Sequence, residues 1–342
     1  MRLIQAGLGA FGRSWAGIVR ETDGVEPVAM VEPIPEARDR AIADLGLPRS
    51  SVFASLGEAL VTVPADAVLL TTPPETHHPL TLEALAAGVH VLVEKPLAMN
   101  IAQAQEMIAA ADAANRTLMV SQNYRFRPPT RAAQSVVSSG VLGELIAVRV
   151  DFQRDTRRIF PPGGFRFTMR HPLLVDMSIH HMDMLRAVTG REIESVYARS
   201  WAAPDSPYEH HPSVAMTMSL SGGAAATYDG DWAGRDGDTS WNADWEIIGR
   251  EGRLLWRGGL ADDMTGDLTL ERWGESAESV PLPILSAQDR GGSLAAFRDA
   301  LAENVAPETA AADNIHSLAA ILAAVQSADT GEIVRPHALL KG

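Results

Sequence analysis

Leu3-Ile4-Gln5-Ala6-Gly7-Leu8-Gly9-Ala10-Phe11-Gly12 is the stretch on which the fold turns. Leu3 to Ala6 predicts a short buried strand, the glycines follow at G-x-G-x-x-G spacing, and Arg13 to Arg20 continues as a helix. Turns without side chains at Gly7 and Gly9 let backbone approach a diphosphate, Gly12 lets helix and strand pack closely, and the helix N-terminus offers free N–H donors. A second apolar run, Val28 to Val31, ends at Glu32, twenty residues after Gly12. A carboxylate there accepts hydrogen bonds from both ribose hydroxyls of an adenosine and repels a 2′-phosphate, so the pattern predicts NAD rather than NADP.

Composition narrows the field. The 342 residues suffice for two domains, and 46% are hydrophobic, enough for a core in each. Twenty-nine basic against 43 acidic residues give a net charge of −14, which repels phosphate backbones and anionic lipid and argues against nucleic-acid and membrane partners. The absence of cysteine excludes disulfides, thiol nucleophiles and cysteine-based metal sites. No leader pattern precedes the first strand and no apolar run reaches membrane-span length, so the expectation is a cytoplasmic protein.

The first ~125 residues alternate strand and helix signals, the pattern of a parallel sheet covered on both faces. Helices are expected at Pro35–Leu45, Pro79–Ala87 and from an Asn100/Gln103 capping box to Ala114; strands at Ala67–Thr71, Val89–Val93 and Thr117–Val120. The pattern changes around Asn123 to Pro129, where the domain seam is expected. Thr130 is read as the cap of a helix ending near Gly140. Period-two alternation follows: Ile146, Val148, Val150 and Phe152 share one face, and similar runs recur at Val214–Leu220, Ala225–Tyr228, Trp245–Ile248, Arg253–Trp256 and Asp267–Trp273. A helix from about Leu174 to Val188 interrupts them, and two helices, Ser293–Ala302 and Asp313–Ala328, close the chain. The second domain is therefore α+β, and a cleft between the domains is the expected ligand site.

Three constellations carry chemistry. Thr72-Pro73-Pro74-Glu75-Thr76-His77-His78 follows a parallel strand at the end where such sheets bind ligands, though a proline-rich turn explains it as well. Glu94-Lys95-Pro96 follows the next strand; an ammonium there can hydrogen-bond a substrate hydroxyl and favour its ionisation. In Asp176-Met177-Ser178-Ile179-His180-His181-Met182-Asp183, the residues Asp176, His180 and Asp183 fall on one helical face, and a carboxylate beside an imidazole raises its basicity as general-base work requires. Trp201, Trp232, Trp241 and Trp245 suit either core packing or stacking on sugar rings, with Trp241 the candidate contact. Arg154, Arg157, Arg158, Arg166 and Arg170 crowd one loop, where they suit either an acidic sugar group or plain solvation.

In this order, the glycine motif, Thr72-Pro73 with His77, Glu94-Lys95-Pro96 and D-x-S-x-H-x-x-D at 176–183 resemble the glucose–fructose oxidoreductase / inositol dehydrogenase / rhizopine-catabolism (Gfo/Idh/MocA) family over nearly the whole chain. Ser178 stands where that family more often has glycine. The resemblance implies an N-terminal Rossmann doubly wound parallel sheet (1–124) that binds NAD. It also implies a C-terminal α+β domain (125–342) with a large open, mostly antiparallel sheet that commonly forms the interface of a homodimer or homotetramer. It further implies a Lys95–Pro96 bond that is often cis, Lys95, Asp176 and His180 as catalytic positions, and Tyr124 and Arg125 near substrate or nicotinamide. The cofactor set is then Gly7, Gly9, Ala10, Phe11, Gly12, Glu32, Thr72, Pro73, His77, Glu94 and Lys95. The implied reaction is oxidation of a secondary alcohol of a sugar or cyclitol, with an amine and an imidazole from the two domains meeting over one nicotinamide face.

Other readings are an NAD-dependent glycosidase that oxidises and re-reduces its substrate, a non-redox or nucleotide-bound regulator on the same fold, and a metal-dependent hydrolase built on His77-His78, His180-His181 and His210-His211. Adjacent helical residues point about 100° apart and rarely chelate one ion, so no metal is expected.

Overall fold

A computed structural model describes residues 1–161, 163–234, 237–258 and 263–341. The chain forms two compact units, Met1–Asn123 with Ala287–Leu318, and Tyr124–Ser286 with Ala319–Gly342. The first change of unit lies between Asn123 and Tyr124. The later segment 287–318, read from sequence as part of the second domain, clusters with the first.

The first unit runs β1 (Arg2–Ala6), α1 (Ala10–Glu21), β2 (Glu26–Val31), α2 (Pro35–Leu45), β3 (Val52–Phe53), α3 (Leu56–Thr62), β4 (Ala67–Leu70), α4 (His77–Ala86), β5 (His90–Glu94), α5 (Ile101–Ala114) and β6 (Leu118–Ser121). The six strands form one parallel sheet in the order β3-β2-β1-β4-β5-β6. The order reverses at β1, so the crevice outside the carboxyl ends of β1 and β4 is the topological switch point where such sheets bind ligands. β1, β4 and β5 are continuous apolar runs because both faces of the sheet are covered; Leu3, Ile4, Val68, Leu69, Val91 and Leu92 are fully buried. The end of α5 is set by Asn115 in the left-handed region, its start by Asn100 Oδ1, which accepts from Gln103 N at 2.9 Å. The returning side chain of Gln103 accepts from Met99 N rather than from Asn100 N, a capping box displaced by one residue. Segment 309–310 covers the edge of β6: Val120 N donates to Thr309 O at 2.9 Å and Thr309 Oγ1 to Val120 O at 2.6 Å.

The second unit opens with α6 (Pro128–Ser138), which begins two residues before the expected Thr130 cap because Pro128 and Pro129 take the N1 and N2 places that lack an N–H partner anyway. β7 (Leu145–Gln153) leads through a short helix α7 (Phe165–Thr168) to a π-helical turn at Leu173–Ser178, which continues as α8 (Ile179–Thr189). Then follow β8 (Ile193–Trp201), β9 (Ser213–Leu220), β10 (Ala225–Asp231), β11 (Asp244–Gly249), β12 (Gly252–Arg257), β13 (Asp267–Arg272) and β14 (Glu278–Ser279). They form an eight-stranded sheet, β14-β13-β12-β11-β7-β10-β9-β8, antiparallel except where β7 meets β10. The buried face carries Val148, Val150, Phe152, Met216, Tyr228, Trp245, Ile247 and Trp256. Ile146 departs from the expected alternation and is exposed: Ile248 pairs with Ala147 but Gly249 with Leu145, so Ile146 is the extra residue of a bulge and Leu145 takes the inner place. The chain closes with α9 (Asp289–Glu303), α10 (Ala311–Thr330) and a short α11 (Pro336–Leu339). No helix among the described residues is long and apolar enough to cross a membrane.

Candidate active site

In the first unit, the turn between β1 and α1 is pinned by backbone contact. Gly7 has φ +95°, and a Cβ there would lie 2.7 Å from Thr71 O; a Cβ on Gly12 would lie 2.0 Å from Gly7 O. Only glycine fits either place. Two buried polar side chains lock the turn: Gln5 Nε2 donates to Gly12 O at 2.6 Å, and Thr71 Oγ1 donates to Gly7 O at 2.9 Å. Gly9 is the N-cap of α1, with no side-chain cap, no acidic residue in the first turn, and open space where its Cβ would stand. Unsatisfied N–H groups, the positive end of the helix dipole and free room at Gly9 make the Gly7–Gly12 turn a cradle that fits a diphosphate.

Glu32 is buried at the end of β2. Its Oε2 accepts from Leu8 N at 2.9 Å and its Oε1 from Ile34 N at 3.1 Å, tying the glycine turn to β2. Each carboxylate oxygen retains a lone pair for a ribose hydroxyl. Arg38 and Arg13 turn onto backbone carbonyls, of Glu32 at 2.7 Å and of Leu8 at 3.1 Å.

After β4, Thr76 Oγ1 donates to Thr72 Oγ1 at 2.7 Å and to Pro73 O at 2.7 Å, closing the loop. His77 is fully buried, Nδ1 2.8 Å from Pro96 O and Nε2 3.0 Å from Thr72 O, so it clamps this loop to the one after β5. Burial holds its pKa below the usual histidine range. Lys95–Pro96 is cis. The buried Glu94 accepts from Trp15 Nε1 at 2.8 Å and from Lys95 N at 3.1 Å, and burial raises its pKa.

In the second unit, His171 lies in the left-handed region at φ +47°, and its backbone carbonyl accepts from Val175 N at 3.0 Å just before the π turn. The helix expected from Leu174 is π-helical as far as Ser178, with Asp176 on the wide turn and His180 and Asp183 on α8. Such turns are frequent at functional sites. His180, 6% exposed, stacks on Tyr124 with ring centroids 4.2 Å apart and planes 9° off parallel. The Arg127 guanidinium carbon lies 3.3 Å from the same tyrosine centroid. Asp183 is engaged bidentately by Arg125, at 2.6 and 2.8 Å, with both partners buried. Asp176 accepts from Arg166 Nε at 2.5 Å.

His181 points elsewhere. Ser178 Oγ donates to Tyr228 Oη at 3.0 Å, Tyr228 Oη lies 3.0 Å from His181 Nδ1, and His181 Nε2 lies 2.9 Å from Trp241 O. Burial depresses His181 to about 4, so the ring is neutral near pH 7, with the Nε2 proton on Trp241 O and Nδ1 accepting from Tyr228. The Trp241 indole, half-buried, lies 4.7 Å from the Arg154 guanidinium carbon and 6.1 Å from the Phe152 ring. Trp232 and Trp245 are core, and Trp201 is exposed. The crowded arginines take local partners: Arg154 the carbonyl of Thr239, Arg157 and Arg158 Asp155, Arg166 Asp176, and Arg170 Asp329. The rings of each histidine pair diverge: His78 meets Glu106 and His211 meets Ser200.

Sequence reading missed Gln5, Thr71, Trp15, Arg127 and Tyr228; all but Gln5 act through a partner remote in sequence. The offset of Gln5 inside the glycine motif and the Thr71-Thr72 pair at a strand end were the available signals.

The fold and cradle define a Rossmann-type dinucleotide-binding protein with a second α+β unit that carries an acid–base cluster. Sequence comparison gives the family. Residues 1–122 match the oxidoreductase family, NAD-binding Rossmann fold, and residues 130–255 match the GFO/IDH/MocA C-terminal domain. The chain belongs to the Gfo/Idh/MocA family of NAD-binding oxidoreductases. It is 29% identical to a 1,5-anhydro-D-fructose reductase of Ensifer adhaerens over 332 residues, 95% of this chain and 96% of that protein. It is 31% identical to an inositol 2-dehydrogenase of Leifsonia xyli over 198 residues, 56% of each. In fold it is similar to an oxidoreductase of Agrobacterium radiobacter solved with NAD+, L-tartaric acid and magnesium, at TM-score 0.88 and 20% identity over 99% of both chains.

Proposed function

We propose that this protein is an NAD-dependent dehydrogenase that oxidises a secondary alcohol of a sugar, sugar derivative or cyclitol. The observation that carries the reading is His180: a buried imidazole, fixed in plane by Tyr124, on a helix whose preceding π turn presents Asp176. An imidazole so held is suited to receive a proton from a hydroxyl, and it has little packing value that a leucine would not supply better. The named relatives that act on sugars and inositol support the substrate class.

In the proposed step His180 takes the hydroxyl proton as general base, and the Asp176 carboxylate favours the imidazolium that forms. The Lys95 ammonium donates a hydrogen bond to the developing alkoxide. NAD, which the Gly7–Gly12 turn and Glu32 would hold, would supply the acceptor for the hydride of the carbinol carbon, which becomes a ketone. General-base assistance of this kind contributes roughly 10²–10⁴-fold. Glu32 at the end of β2 supports NAD over NADP, since its carboxylate disfavours a 2′-phosphate. The outer face of the second sheet exposes Ile146, Tyr197 and Trp201 at 53%, 40% and 40%, which supports a homodimer or homotetramer formed through it.

A panel of sugars, inositols and sugar acids with NAD, read by absorbance of the reduced cofactor, tests the reading. Net reduction with at least one polyol is expected. Bond cleavage in a glycoside with no net reduction would favour the glycosidase alternative, and binding of NADH with no turnover of any member would favour the regulator.

A further inference from the structure

The cradle at the start of α1 has a cation beside it that the glycine motif does not supply. Arg290, in the first turn of α9, arrives from the far end of the chain but within the same unit. Its Nη2 donates to Ser14 Oγ at 3.0 Å. Its guanidinium carbon lies 5.1 Å from the ring centroid of Phe11 and 5.6 Å from that of Trp15, within the range of cation–π attraction. Phe11 belongs to the glycine motif and is 51% exposed.

Two further facts separate Arg290 from a surface arginine. Its Nη1 is buried and makes no hydrogen bond among the described residues, while its charge acts on the buried Glu94 carboxylate. Its placement is also enforced: Asp289 sits in the left-handed region at φ +51°, and Asn123 Nδ2, just past β6, donates to Asp289 Oδ1. A strained residue tied to the sheet end fixes where the next side chain points. Arg13 and Arg38 spend donors on the carbonyls of Leu8 and Glu32, whereas Arg290 keeps one N–H group in hand beside the helix N-terminus.

We propose that Arg290 is a diphosphate-binding residue, its Nη1 donating to a phosphate oxygen of the dinucleotide held at the start of α1 while Phe11 and Trp15 keep the guanidinium plane in place. This rests on the dinucleotide-binding reading of the glycine cradle. A guanidinium presents planar, charge-assisted donors matched to phosphate oxygens, and a lysine would act only as a point charge. It also supplies positive charge in a chain of net charge −14.

The test is calorimetric titration of the full chain with NADH and with ADP-ribose, which keeps the diphosphate and lacks the nicotinamide. Arg290→Met is expected to weaken both ligands by a similar factor, about 10- to 100-fold, and to flatten the salt dependence of binding. Arg290→Lys should recover part of the loss. Arg298→Met, on the same helix with its guanidinium on Asp299 and Asp23, makes the same charge change and should leave both affinities as in the wild type. ADP-ribose bound as tightly by Arg290→Met as by the wild type, with or without a fall in thermal stability, overturns the proposal and leaves Arg290 as a cover for Trp15. Loss confined to NADH also overturns it, by moving the contact to the nicotinamide side. Wild-type protein that binds neither ligand would instead bring down the cofactor reading itself.

Discussion

The two units hold their functional groups by opposite means. In the first, the cradle is made of backbone packing and of a carboxylate bonded to backbone: Gly7 against Thr71, Gly12 against Gly7, Glu32 on the amides of Leu8 and Ile34. In the second, the candidate base and its surroundings are fixed by side chains far apart in sequence, such as Tyr124 with His180, Arg125 with Asp183, Tyr228 with His181 and Arg127 with Asn242. A backbone cradle tolerates no added methyl group at Gly7 or Gly12. A site held by buried polar pairs tolerates neither a lost charge nor an added proton.

The sharpest way to break that contrast is at Arg125. Removing one member of a buried ion pair leaves an uncompensated charge, so Arg125→Met should cost about 3–5 kcal/mol of unfolding free energy in denaturant titration. Arg125→Met combined with Asp183→Leu should recover most of that loss, since two apolar side chains strand no charge. A single variant as stable as the double would mean that the pair contributes no more than surface ions do.

Next in size is the acid response of the His181 network. Its folded pKa is depressed to about 4 from the ordinary 6.5, so below pH 6.5 the unfolded chain binds the extra proton first. The stabilisation is complete above pH 6.5 and is lost progressively as pH falls toward 4, by on the order of 3 kcal/mol. His181→Gln should be less stable than the wild type at pH 7, and its stability should change less between pH 6.5 and 4. Parallel pH–stability curves would assign the acid sensitivity elsewhere.

The smallest effect sharpens the first unit. Glu32→Ala should lower the ratio of kcat/KM for NAD over NADP by roughly 10-fold, the value of one charge-assisted hydrogen bond. An unchanged ratio would confine Glu32 to holding the Leu8 and Ile34 amides.

The same contrast explains what could be read from the chain before folding. The glycine spacing, the acid at Glu32 and the apolar runs of β1, β2, β4 and β5 are local signals that need no distant partner, and the Rossmann unit follows from them. β3, α3 and β8 were not legible; β3 is two residues long, and β8 carries charged Glu194 and Arg199 at exposed positions and a polar Ser200 beside its buried ones. Ile146 was misplaced because a bulge depends on the register of the partner strand. The return of 287–318 to the first unit has no local signature, and Arg290 was invisible for that reason. The 176–183 motif was legible as a polar cluster on a helix, but periodicity gave no sign of the π turn at Leu173–Ser178.

The central claim is that Lys95 and His180 do chemistry rather than hold cofactor or fold. It is tested most directly by measuring NADH affinity and turnover together in Lys95→Ala and His180→Ala, on whichever polyol reduces NAD with the wild type. The account predicts turnover lowered about 10²–10⁴-fold in each variant, with NADH bound within a few-fold of wild type. Full turnover in either variant would contradict it.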